Sequence, residues 1–154
     1  MMSVEYAWIQ NITVWAGISA WVVAQVVKLL IYIVMHRRFD PAFLFRLGGM
    51  PSSHSAAVAA VAVSAGIREG FGSTLFAVAL ALALIVMIDA QSVRRAAGQQ
   101  ARLLNQLVDQ FFKEHRLSHG KLVEFLGHTP LEVFLGMVLG LLCALLMHGL
   151  FPAL

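Results

Sequence analysis

The sequence predicts an all-α, polytopic membrane helical bundle, with about four membrane helices plus one amphipathic cytoplasmic helix. The whole chain, 1–154, reads as a single membrane domain. Three observations predict this. First, 60% of the residues are hydrophobic and only 12% are charged, against about 25% charged in ordinary soluble domains. Second, the apolar residues gather in runs close to the ~20 residues that a helix needs to cross a bilayer. Third, the basic residues gather in alternate loops, which is how a membrane protein encodes its orientation. The formal charge of +3 therefore reflects loop arginines and lysines near lipid headgroups, and nucleic acid is not an expected partner. The single cysteine, Cys143, lies in an apolar run, so neither a disulfide framework nor a cysteine metal site is available.

The first span is expected from about Ala7 to Met35. It lacks a basic leader and is too long for a signal peptide, so none is expected. Trp8 suits an interface anchor. Gln25, Lys28, Tyr32 and His36 recur at steps of three and four, so they form one polar stripe on the lower half of this helix. Such a stripe faces a protein interior or a water-filled cavity. His36-Arg37-Arg38-Phe39-Asp40-Pro41 ends the helix and opens a loop that runs to Pro51.

Gly48-Gly49-Met50-Pro51-Ser52-Ser53-His54-Ser55 is a turn feeding a helix start, with Ser52 or Ser53 as the N-cap. The run from Ser55 to Ile67 is rich in Ala and Val and short for a span. It is read as an interior helix that packs closely through its small residues. Arg68-Glu69-Gly70 is a tight turn, and a third span follows from about Phe71 to Ala90. From Ala96 to Arg116, Ala97, Ala101, Leu104, Val108 and Phe111 make an apolar stripe opposite polar residues. That suits an amphipathic helix on the membrane or under the bundle. His115 and His119 are four apart and would suit a metal only if helical; Ser118 and Gly120 favour a loop, and no metal is expected there. The fourth span is expected from about Val133 to Leu150, with Thr129 as cap and Pro130 at the first helical position.

Arg37, Arg38 and Arg46 lie in the first loop, and Arg94, Arg95, Arg102, Lys113, Arg116 and Lys121 in the third. Positive-inside reasoning places these loops in the cytoplasm and both termini outside. His54, Arg94, His128 and Glu132 then share the cytoplasmic face. Lys28 lies roughly 11 Å above the end of the first helix, at 1.5 Å per residue, and its stripe leads to the same face. Two histidines, several cations and two helix N-termini make a candidate anion site with two proton carriers or nucleophiles. Asp89 is read as a structural ion-pair partner of Lys28 or an arginine. Arg95 and Arg102 are read as headgroup or topology charges.

Pro51-Ser52-Ser53-His54 resembles the Pro-Ser-Gly-His motif of the type 2 phosphatidic acid phosphatase superfamily, which includes the vanadium haloperoxidases. His128-Thr129-Pro130-Leu131-Glu132 resembles its closing motif, a His followed four residues later by Asp. With Asp89 to Arg94 between them, these segments look like the divergent branch of that superfamily, from about Lys28 to Leu150. Ser53 stands for the usual Gly and Glu132 for Asp. Lys28 is not followed seven residues later by Arg-Pro, and Arg94 is separated from His128 by the amphipathic segment. The main membrane enzymes have more spans.

The resemblance implies a metal-independent phosphatase without cofactors that acts on a membrane lipid phosphate. His128 would be the nucleophile that forms a phosphohistidine, Glu132 would hold its imidazole, and His54 would serve as acid and then base. Lys28, Arg94, Ser53 and Arg37 would bind the phosphoryl group. A cytoplasmic site at the inner (plasma) membrane suits phosphatidate or phosphatidylglycerophosphate better than an outer-face undecaprenyl diphosphate. Two other readings stand beside it: a non-catalytic transporter of lipid phosphate or another anion, and an inactive phosphatase-like membrane subunit. A homodimer is compatible with so small a core.

Overall fold

The computed structural model describes residues 9–39, 49–111 and 127–152; of residues 93–95 and 109–111 it describes the backbone alone. These residues form five helices: α1 (Ile12–His36), α2 (Ser53–Glu69), α3 (Thr74–Gln91), α4 (Val93–Phe111) and α5 (Pro130–Leu150). There is no strand among the described residues. Trp8, the loop arginine Arg46, His115, His119 and the apolar piece 122–126 lie outside them.

Each boundary has a local cause. Asn11 caps α1 by accepting from the Thr13 N–H, and the helix ends where Arg37 turns left-handed at φ 51°. Ser52 caps α2, and its side chain accepts from the Ser55 N–H. Gly70, at φ 91°, ends that helix in a conformation glycine tolerates best. Ser73 caps α3. Thr129 and Glu132 form a reciprocal capping box at the start of α5, with Pro130 in the first turn. The expected cap and proline positions on α5 are those observed.

The packing turns the soluble-protein pattern inside out. The core comprises Ala16, Ala20 and Ala24 of α1, Ala56 and Ala60 of α2, and Cys143 and Ala144 of α5. Large apolar side chains such as Leu82, Ile85, Phe134 and Leu146 point outward. Lipid is as apolar as leucine, so burying leucine against protein gains little there; small residues gain by letting backbones approach. α2 is the central helix and packs against α1, α3 and α5. α3 buries only Ala83 and Ala90.

α1, the α3–α4 stretch and α5 are long and apolar enough to cross a membrane. α2, the expected interior helix, has 17 residues. The expected count of four membrane helices thus resolves into three candidate spans around a shorter central helix. The amphipathic segment begins at Val93 rather than Ala96, and a single residue, Ser92, separates it from α3. Its apolar stripe is exposed at Leu104 and Val108, while Gly98, Ala101 and Asn105 are buried. Exposure of that stripe is what a helix at a membrane surface requires.

The closest approach in the bundle is that of α2 to α5. A Cβ added at Gly136 would run into the Ser52 carbonyl oxygen, and one at Gly140 into the Ala56 carbonyl oxygen. Glycine is required because the obstacle is backbone, which cannot swing aside. At the far end, the buried Ser64 hydroxyl of α2 lies 3.0 Å from Thr13 Oγ1 of α1 and 2.8 Å from His148 Nε2 of α5. This polar junction ties together the three helices that carry the site. Gly136→Ala and Gly140→Ala should each destabilise the fold by about 1–3 kcal/mol through overpacking. Gly149→Ala, where an added methyl meets nothing within 4 Å, should be neutral. Thermal unfolding in detergent measures both. In the same assay Ser64→Ala should cost about 1 kcal/mol.

Candidate functional site

Two helix N-termini and two helix C-terminal regions meet at one end of the bundle. The Ser52 N–H donates to the Glu132 carbonyl oxygen at 2.9 Å, joining the starts of α2 and α5. The His128 N–H donates to the Ala90 carbonyl oxygen at 2.9 Å, joining the end of α3 to the entry of α5. Lys28 Nζ donates to Ser53 Oγ at 3.2 Å, joining the lower part of α1 to the first turn of α2. Three bonds from distant parts of the chain thus converge on one end of the bundle.

The serine run is a frame with one outward residue. Ser52, Ser53 and Ser55 are buried, and His54 is exposed. The Ser55 hydroxyl and the Ser55 N–H both reach Ser52 Oγ, at 3.0 and 3.3 Å. Ser52 Oγ thus accepts twice from Ser55, while the Ser52 N–H is held by the Glu132 carbonyl oxygen, so the start of α2 is fixed.

His128 is 6% exposed, and its Nδ1 lies 2.8 Å from Glu132 Oε2. A carboxylate can only accept, so Nδ1 carries the proton. In the neutral ring this leaves the lone pair on Nε2, the tautomer that a nucleophilic imidazole needs. The same Glu132 oxygen accepts from the Thr129 N–H at 3.2 Å. The His54 and His128 rings are 6.5 Å apart between centroids and inclined at 56°. The two imidazoles are thus close neighbours, near enough for both to contact a single bound group between or beside them. The positive ends of two helix dipoles point into the region. Lys28, itself 6% exposed, brings its ammonium group to the same end of the bundle, held by Ser53 Oγ.

His54, His128, Glu132, Lys28 and Ser53 are thus brought together. Arg94 is the second residue of α4, four residues beyond the Ala90 that His128 bonds. Its backbone is close to the site, and its side chain is not among those described. Arg37 stands apart: it is exposed on the C-cap of α1, nine residues and roughly 13 Å along the axis beyond Lys28. Asp89 is half-buried, next to Ala90. The sequence reading gave no packing role to the two close-packing glycines. The small-x-x-x-small spacing of Gly136 and Gly140 within an apolar run was the signal for one.

This is an all-helical integral membrane protein with a paired-histidine site at one end of its bundle. The chain belongs to the Divergent PAP2 family, whose model matches residues 9–143. It is similar to the uncharacterized membrane protein YuiD of Bacillus subtilis (strain 168), at 39% identity over 152 residues, covering 92% of this chain and 96% of that protein. No solved structure matches it.

In wild-type protein, ¹⁵N NMR of the His128 ring in its neutral form should report the Nδ1–H tautomer, with Nε2 unprotonated. Glu132→Ala should lose this tautomer bias. It should also cost about 1 kcal/mol in stability, because the capping box goes with it. An unchanged ring spectrum in Glu132→Ala would show that the carboxylate does not orient the ring.

Proposed function

We propose that this protein is a metal-independent, cofactor-free phosphomonoesterase acting on a lipid phosphate of the phosphatidate or phosphatidylglycerophosphate type. The observation that carries the reading is the His128 ring, tethered through Nδ1 to Glu132 and neighboured by the His54 ring at 6.5 Å between centroids. In the first step His128 Nε2 attacks phosphorus and the bond to the lipid alcohol breaks. His54 delivers its proton to the leaving oxygen, and phosphohistidine remains. In the second step His54 takes a proton from water, the oxygen attacks phosphorus, and the phosphorus–nitrogen bond breaks to release phosphate. Glu132 stabilises the charge that grows on the imidazole as it attacks.

Lys28, Arg94 and Ser53, with the helix dipoles, are assigned to the phosphoryl oxygens. Arg37 is assigned a weaker and more distant electrostatic part, in keeping with its exposure. Asp89 is assigned to charge balance near the cations. The distribution of loop arginines supports a site that faces the cytoplasm. The small apolar layer of Ala16, Ala20, Ala24, Ala56 and Ala60 lies between this site and the Ser64–His148 junction. That apolar layer favours chemistry at one face over passage of an anion through the bundle.

Purified protein in detergent with chelator should release phosphate from phosphatidate. His128→Ala and His54→Ala should each lower kcat by at least about 10²-fold, with unfolding temperature unchanged. Sustained release by His128→Ala would discard the covalent mechanism. A wild type that never releases phosphate would leave the inactive-subunit reading. Orientation is tested separately with His54→Cys in a Cys143→Ser background. An impermeant thiol reagent should label it only when the cytoplasmic face is opened.

A further inference from the structure

The polar site described so far stops at the phosphate, but α1 does not stop there. Lys28 meets Ser53, the first residue of α2. α1 then continues for eight more residues, to His36, which is about 12 Å of helix. Its last two turns extend past the level at which Lys28 meets the first turn of α2. The row of residues that α1 turns toward its neighbours is spaced by four: Ala16, Ala20, Ala24 and Lys28, all buried. The next members of that row are Tyr32 and His36. Exposure rises along it, from Ala24 at 0% and Lys28 at 6% to a half-buried Tyr32 and an exposed His36. Tyr32 is thus one turn beyond the phosphate site on the same inclined row, and His36 is two turns beyond.

The two side chains act as a unit. Their rings stack at 4.4 Å with planes 21° apart. His36 Nδ1 is 3.1 Å from the Tyr32 carbonyl oxygen. A carbonyl only accepts, so Nδ1 carries the proton and the ring cannot turn over without losing that bond. The result is a flat, preorganised aromatic surface with Nε2 at its edge. Nε2 accepts when the ring is neutral and donates when it is charged. Apolar faces with a polar rim suit the level of a bilayer where acyl chains meet ester oxygens.

We propose that Tyr32 and His36 form the specificity-determining wall of the site and bind the ester-bearing glycerol region of the substrate. The inference rests on the phosphomonoesterase reading and assigns to Tyr32 and His36 the recognition of its glycerolipid substrate. A polyprenyl phosphate carries hydrocarbon directly beyond its phosphate and offers no oxygen for the imidazole edge.

The test compares wild type with Tyr32→Ala, His36→Ala and His36→Gln on three substrates: dioctanoyl phosphatidate, farnesyl monophosphate and p-nitrophenyl phosphate. Binding of dioctanoyl phosphatidate and of inorganic phosphate is measured alongside by calorimetry in detergent. Both alanine variants should raise KM and Kd for phosphatidate roughly three- to tenfold, the loss of one or two polar contacts. Their kcat, their kcat/KM for p-nitrophenyl phosphate and their inorganic phosphate binding should stay within about twofold, less than one such contact. His36→Gln, which can still give and take a hydrogen bond, should recover most of the loss. Equal losses on all three substrates, no change on phosphatidate, or a wild-type preference for farnesyl phosphate would overturn the proposal. If wild type hydrolyses none of them, the enzymatic reading falls, and the phosphatidate binding arm still decides this one.

Discussion

Backbone-to-backbone contact between α2 and α5 is the constraint on which the rest depends. Gly136 and Gly140 let α5 lie against the carbonyls of Ser52 and Ala56. That contact puts two helix starts side by side, and the Ser52 N–H to Glu132 carbonyl bond sets their register. Everything polar in the site follows from this register. His54 leaves one helix start, while His128 and Glu132 guard the other. A larger residue at either glycine would separate the helices and open the gap between the imidazoles. In a lipid environment no general hydrophobic pressure would push them back together.

The second determinant is burial. Lys28 and the serines beneath it are held away from bulk water, where charge–dipole interactions are stronger than at a solvated surface. The molecule tolerates a buried lysine because a hydroxyl accepts one of its protons and a carboxylate lies near. The core that surrounds it contributes shape rather than bulk. Its largest fully buried side chains are Ile12 and three serines, so the site is set in a tight lattice of methyl groups.

Much of this was legible in the order of the residues. Runs of apolar side chains marked the helices, and the capping box at Thr129–Glu132 marked the start of α5 nearly to the residue. The four-residue spacing of His128 and Glu132 specified a hydrogen bond before any coordinates did. The serine cap was legible as well, though which serine would act was open until Ser52 took the role. The count of spans was less legible, because a 17-residue central helix reads like a short membrane segment until its neighbours are seen to surround it. The stripe on α4 was legible as an amphipathic helix, though periodicity says which residues share a face and not which of them are covered. Arg37 was grouped with the site as the nearest arginine after Lys28; the structure shows it exposed on the C-cap of α1. The Ser64–His148 junction left no motif at all, since a lone polar residue in each of two apolar helices carries no spacing signal.

The wider superfamily closes its motif with aspartate, and this chain uses glutamate. The extra methylene lets one oxygen, Oε2, hold the His128 ring and the Thr129 amide at once. An atom with two such obligations cannot be tuned for either alone. Any evolutionary drift at position 132 that altered the grip on the imidazole would also fray the first turn beneath it. Heredity at this position is therefore policed twice, once by chemistry and once by folding.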